Sequence, residues 1–346
     1  MKKKIWLGIA ILLAVAAGSA VGLYTGKRKT VKSETAYVAM GTYVTQTLYG
    51  APGADTEAAE RGLKELTQNM EQEMLRIEQS EPQFPELRIK KEIGCHLSDC
   101  EDVSRSSEGA LDLTIGPVSR LWDFEGGNER VPEEAEIREA LKAVGWERTR
   151  VTESESDGKE WIWQLSEGQI PDFGAVGKGM VCDEMLRYLE EFNASAPKKG
   201  RIEEAVIAVG GSVMTFAPED EKRAWQIGIS EPKDASKLVG TLELSGTAFV
   251  ATSGDYVRYV EDEQGKRYGH ILDPHTGYPA ENGGIVSVTV VAENGTLADA
   301  LSTACFVLGE EKGLELAKRY NAPVLFLDEN GGMVMSDEMK VIFSKK

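Results

Sequence analysis

The chain has 346 residues, enough for one large domain or two smaller ones with real cores. Its 39 Lys and Arg stand against 57 Asp and Glu, for a formal charge of −18. So acidic a chain argues against nucleic acid as a partner, because that binding rests on neutralising phosphates. It argues equally against broad docking of the body on anionic lipid.

The beginning of the chain departs from that character. Met1-Lys-Lys-Lys4 precedes an apolar run of 19 residues, Ile5 to Leu23. At about 1.5 Å per residue such a helix nearly spans a bilayer core. Residues 1–24 therefore read as a signal-anchor or a cleaved signal peptide. The leading lysines favour an inside N-terminus, with the body on the extracytoplasmic face of the cell membrane. Residues 25–35 read as a linker and 36–346 as the body.

Four cysteines follow, Cys95, Cys100, Cys182 and Cys305, without paired Cys-x-x-Cys sets, so a structural zinc site is not expected. Cys182 and Cys305 fall in apolar helical stretches and are expected to be buried. Spacing leaves open whether Cys95 bridges Cys100.

In the body, Ala36–Gly50 is rich in Tyr, Val and Thr and predicts a strand. Over Asp55–Ser80, Ala58, Leu63, Leu66, Met70, Met74 and Ile77 recur at helical steps. Helices are expected over Leu97–Ser107, from Pro132 through Val144 with Gly145 beyond its end, and over Gly177–Phe192. Strands are expected at Trp161–Leu165, Ala205–Val209, Trp225–Ser230, Thr241–Thr252 and Ile285–Ala292. A hairpin is expected from Val257–Val260 and Lys266–Leu272. Helices over Thr296–Leu308 and Glu311–Tyr320 precede two strands around Asp328-Glu-Asn-Gly-Gly332. Strands and helices mix without a regular βαβ beat, so the class is α+β.

The chemistry concentrates on a few turns. Asp299 and Thr303 stand four apart, which on a helix puts both oxygens on one face. A carboxylate beside a hydroxyl, near glycine-rich backbone, suits a hard cation and the phosphates it carries. Asp172-Phe-Gly-Ala-Val-Gly-Lys-Gly179 places three glycines and Lys178 ahead of a helix whose free N–H groups are expected to face the loop. It lacks the P-loop spacing. His270, framed by Tyr268, Ile271, Asp273 and Pro274, is placed to act as a general base near neutral pH. His96 and His275 are expected at the surface. Ala110-Leu-Asp-Leu-Thr-Ile-Gly-Pro117 is a further Asp/Thr turn, and Trp122 and Phe124 beyond it read as core. Gly210-Gly-Ser212 ends an apolar strand in a close-approach turn.

In order, these pieces resemble the ApbE-type FAD:protein FMN transferases. The matching segments are Met40-Gly-Thr42, Gly109–Asp112 with Thr114–Pro117, Leu121-Trp122, Asp172–Asp183, Gly210-Gly211, Thr252–Tyr256, His270–Pro274 with Thr276-Gly277 and Pro279, and Asp299–Thr303. They span residues 36 to 345. The segment Arg76–Glu86 does not carry the Ser-Glu element usual after the first long helix.

The resemblance implies an ApbE-like (T-fold-like) α+β body of two joined subdomains with mainly antiparallel sheets. It implies FAD as substrate and a magnesium ion held by Asp299, Thr303 and the main-chain carbonyl of Ala175. Met40, Ala110, Leu111, Asp112, Asp172, Lys178, His270 and Ile271 would line the FAD pocket. The reaction implied attaches FMN to a threonine of a target flavoprotein and releases AMP. His270 would take the threonine proton, with Asp273 orienting it or replacing it as base. A metal-dependent FAD pyrophosphatase and a non-catalytic exported FAD-binding protein are the alternatives.

Overall fold

The stretch 36–50, expected as one strand, folds as a hairpin. Met40 and Gly41 both adopt positive φ, 54° and 62°. That is the geometry of a two-residue primed turn, whose twist matches the flanking strands. It joins β1 (Val31–Ala39) to β2 (Thr42–Gly50) in unbroken antiparallel register. The computed structural model describes residues 30–346 apart from 81–85, 125–126, 128–129, 155–157, 159, 218–223, 257 and 263. The apolar N-terminal run and the middle of Arg76–Glu86 thus lie outside the described residues.

The Asp55 side chain accepts from Ala58 N and opens α1 (Thr56–Glu78), which buries Ala59, Leu63, Met70, Met74 and Ile77. Next come β3 (Glu86–Lys90), α2 (Lys91–Gly94), α3 (Leu97–Ser106), α4 (Gly116–Trp122), α5 (Glu134–Ala140), β4 (Arg150–Glu153) and β5 (Glu160–Gln164). α6 (Gly177–Ser195) leads into β6 (Ile202–Val209), β7 (Ser212–Phe216), β8 (Ala224–Glu231), β9 (Asp234–Ser245) and β10 (Ala248–Gly254). A small hairpin, β11 (Tyr259–Glu261) and β12 (Arg267–Gly269), precedes β13 (Ile285–Ala292) and α7 (Gly295–Arg319). The chain closes with β14 (Val324–Asp328), β15 (Met333–Met335), α8 (Asp337–Ile342) and β16 (Phe343–Lys345).

An eight-stranded antiparallel sheet, ordered β1-β2-β6-β7-β10-β13-β14-β15, organises the body. Period-two alternation gives it two apolar faces. Ile207, Val209, Phe249, Ala251, Val288 and Val290 face α1, α6 and α7 in the larger core. Val206, Val213, Val250 and Leu325 face the other way, against Trp225, Ile227, Leu242 and Leu244 of a sheet ordered β16-β9-β8. The named sheets bear out the α+β class.

α6 and α7 approach closely. A Cβ on Gly179 would fall 2.1 Å from the Gly295 carbonyl oxygen, and one on Gly295 would fall 2.4 Å from that of Gly179. Gly309, at φ 78°, bends α7 between the two helices that the sequence predicts.

Candidate active site

Between the outer face of the main sheet and the loops at 110–124 and 171–178 lies a cleft of about 1430 Å³. Asp299 reaches it from the second turn of α7 and Thr303 from the turn after. Asp299 is 4% exposed. Its Oδ2 accepts from Gly179 N (2.6 Å) and its Oδ1 from Ser212 Oγ (2.6 Å). Burial raises its pKa, opposed by the charge of Lys178 and by these two bonds. Ser253 Oγ lies 3.1 Å from Thr303 Oγ1 and 2.7 Å from Ser302 Oγ. α7 itself is held by Asp183 of α6, which accepts from Gly295 N (2.5 Å), Thr296 N (2.9 Å) and Thr296 Oγ1 (2.6 Å).

The loop before α6 faces this pair. Asp172 accepts from Ser119 Oγ (2.5 Å) and from Gly174 N (2.8 Å), and its own N–H donates to Leu113 O. Ala175 and Lys178 also line the cleft. The amides expected to be free are partly spent. Gly177 N donates to Phe173 O and Gly179 N to Asp299. The close packing of α6 on α7 turns that helix end inward, so Lys178, whose Nζ lies 3.4 Å from Gly174 O, is the positive group of the loop.

Ala110, Leu111 and Asp112 form another wall. Asp112 is a turn organiser: Oδ1 takes Thr114 N (2.8 Å) and Oγ1 (2.7 Å), and Oδ2 takes Trp146 N (3.0 Å). Its pKa is raised by burial against these bonds. Met40 is not among the residues lining the cleft. It sits at the hairpin turn, its N–H on Glu71 Oε1 (2.6 Å) and its methyl group against Gly177.

His270 and Ile271 line the cleft beyond β12. The imidazole stands edge-on to Phe124 with ring centroids 6.4 Å apart. Its Nδ1 is buried and has no hydrogen-bond partner among the described residues. Burial, then the charges of Arg258 and Lys178, push its pKa down to about 4, so the ring is neutral at pH 7. Asp273 does not orient it. The Asp273 carboxylate instead accepts from His275 N (2.9 Å) and faces His275 Nδ1 (3.0 Å), and its backbone carbonyl closes the turn to Thr276 and Gly277. His275 is tied down on its other side by Glu108 O, 2.9 Å from Nε2.

His96 is not a surface residue. It is buried, with Nε2 2.8 Å from Glu184 Oε1. All four cysteines are free, and Cys100, Cys182 and Cys305 are buried. Trp122 is fully buried and stacks on Phe124, which also lines the cleft. Ser212, Ser253 and Asp183 are contributors to which the sequence reading gave no role. Each carried a signal all the same: Ser212 follows Gly210-Gly211, and Ser253 and Asp183 lie in the segments Thr252–Tyr256 and Asp172–Asp183 that resemble the family.

Comparison with known proteins places this geometry. The ApbE family model matches residues 40–326. A FAD:protein FMN transferase of Haemophilus influenzae is 31% identical over 276 residues, 78% of this chain and 76% of the relative. One of Klebsiella pneumoniae is 33% identical over 239 residues, 68% of this chain and 69% of the relative. The crystal structure of the ApbE protein of Thermotoga maritima superimposes with a TM-score of 0.77 at 28% identity, covering 90% of this chain and 99% of that one. With the match running through the cleft's loops and both of its helices, the chain belongs to the ApbE family.

Proposed function

We propose that the protein is a magnesium-dependent FAD:protein FMN transferase. It moves the FMN half of FAD onto a threonine hydroxyl of a target flavoprotein and releases AMP. The observation that carries this is the convergence of Asp299, Thr303, the glycine-rich loop with Lys178, and the neutral His270 imidazole on one cleft. The activity named for the relatives supports the same reading.

The donor set fits the metal. Asp299, Thr303 and the Ala175 carbonyl offer only oxygen, the preference of a hard cation. Among the described residues each Asp299 oxygen accepts one hydrogen bond and keeps a lone pair. Held there, magnesium would neutralise charge on the FAD diphosphate.

The chain's own groups do the rest. Lys178 and Arg258 bring positive charge to the end of the cleft where the diphosphate must lie. Ser212 and Gly179 N fix the Asp299 carboxylate, so no reorganisation is needed when the substrate arrives. The neutral His270 imidazole takes the threonine proton. The threonine oxygen then bonds to the FMN phosphorus, and the bond from that phosphorus to the AMP phosphate oxygen breaks. The positive charges that depress His270 are offset once a diphosphate binds, so its basicity rises in the complex. We place this chemistry outside the cytoplasmic membrane, with residues 1–24 as anchor or signal.

The test is to incubate the body from Thr30 onward with FAD, magnesium and candidate extracytoplasmic flavoproteins. Covalent FMN mapped to an acceptor threonine is the expected product. Free FMN and AMP without any covalent adduct would make the protein a pyrophosphatase instead.

A further inference from the structure

Outside the cleft, a second group of reactive side chains gathers where α2 ends and α6 passes. Cys95 is partly exposed. Its sulfur, a ring nitrogen of His96 and a carboxylate oxygen of Glu184 all lie within 4.8 Å of one another. His96 Nε2 is 2.8 Å from Glu184 Oε1, and Nδ1 is 3.6 Å from Asp183 Oδ2. An imidazole with a carboxylate at each nitrogen is held as imidazolium. Arg187 completes the group, its Nη2 2.9 Å from Glu184 Oε1 and 3.7 Å from Cys95 Sγ. Two cations therefore flank the sulfur of a partly exposed cysteine. The same guanidinium covers the Glu184 oxygen that a metal would need, so the arrangement favours an anion at sulfur over a cation among the three ligands.

We propose that Cys95 is a modification site: a thiolate, with His96 and Arg187 as counter-ions, that reacts with small soft electrophiles, hydrogen peroxide among them. With peroxide, the sulfur lone pair attacks one oxygen. The S–O bond forms and the O–O bond breaks. Sulfur is oxidised by two electrons to the sulfenic acid, and the departing hydroxide takes a proton from the His96 imidazolium to leave as water. Burial raises the Cys95 pKa, but the contacts with His96 and Arg187 outweigh it and lower the thiol overall, against some opposition from Glu184. Cys100, Cys182 and Cys305 are internal controls, since burial pushes all three thiols upward.

The test uses the full chain. Iodoacetamide labelling of each cysteine is followed from pH 5 to 9 by peptide mass mapping, and sulfenic acid formed with hydrogen peroxide is trapped by dimedone. Cys95 is expected to be the labelled and trapped residue, with a pH midpoint below that of the same thiol in the unfolded chain. His96→Asn is expected to raise the midpoint and slow labelling at pH 7 by about tenfold, as loss of a thiolate's counter-ion does. If that buried variant does not fold, Arg187→Gln, at a side chain 40% exposed, gives the same reading with a smaller shift. A wild-type midpoint at or above the unfolded value would overturn the proposal. So would stoichiometric zinc that protects Cys95 from the label, which would make the cluster a metal site.

Discussion

Asp299 joins the two functions a buried carboxylate can have, since it ties α6 and Ser212 to α7 and also faces the cleft. Asp299→Asn keeps the shape and removes the charge. Transfer is expected to fall by about 100-fold or more, the scale seen when one preorganised electrostatic contact is lost. Magnesium should then no longer raise the melting temperature. His270→Asn should cost about 10²- to 10⁴-fold, the usual share of a general base. With the free-enzyme pKa at about 4, kcat/KM should lose activity only as pH falls towards 4, because protonation removes the base. The acid limb of kcat should stand at higher pH, since bound diphosphate offsets Arg258 and Lys178. Coincident limbs for the two profiles would contradict that account. The Asp299–Thr303 pair was legible because four residues make a helical turn whatever surrounds it. Asp273 misled because its spacing from His270 does not tell which imidazole a turn aims at, and the carboxylate went to His275. His96 looked solvent-facing among polar neighbours. Its partners Asp183 and Glu184 come from a helix nearly ninety residues later.

The helices α6 and α7 carry the site between them, and their contact is made by two glycines and one acid. Gly179→Ala would put a methyl group on the Gly295 carbonyl and force the helices apart. A loss of about 1–3 kcal/mol or more in urea denaturation is expected from such overpacking, together with weaker magnesium binding as Gly179 N leaves Asp299. The His96 cluster gives the same region a pH signature. Burial opposes its charge, but Cys95, Glu184 and Asp183 prevail and raise its pKa from 6.5 to about 10. The stability it contributes is therefore complete below pH 6.5 and is lost as pH rises through 10, at up to about 1.4 kcal/mol per pH unit. His96→Asn should flatten that alkaline decline. At this scale most long elements were legible from periodicity, α1 above all. The β1–β2 turn was not, because Met40 lacks the usual turn composition and takes positive φ in a setting fixed by the sheet. β3, β4 and β16 escaped because short strands bury too few residues to leave a pattern, and the partners of β3 and β16 are distant in sequence.

At the scale of the molecule, the main sheet separates two cores and leaves part of its outer face as the floor of the cleft that Asp299 and Thr303 also line. The α+β class was legible from the irregular alternation of elements. The sheet order was not, because it depends on pairings such as β2 with β6 that cross some 150 residues. The core residues run from Tyr37 to Met339, so a protein starting at Thr30 should fold, stay in solution and retain transfer; a requirement for residues 1–29 in the flavinylation assay would show that this body is incomplete. The central claim is that Asp299 and Thr303 grip a cation that carries the FAD diphosphate. A crystal structure of the body with FAD and manganese in place of magnesium tests it most directly, through the anomalous signal of the metal. The account predicts a peak bonded to the Asp299 and Thr303 oxygens with the flavin diphosphate beside it. Manganese and diphosphate bound elsewhere, with both side chains still engaged only by Ser212, Gly179 and Ser253, would contradict it.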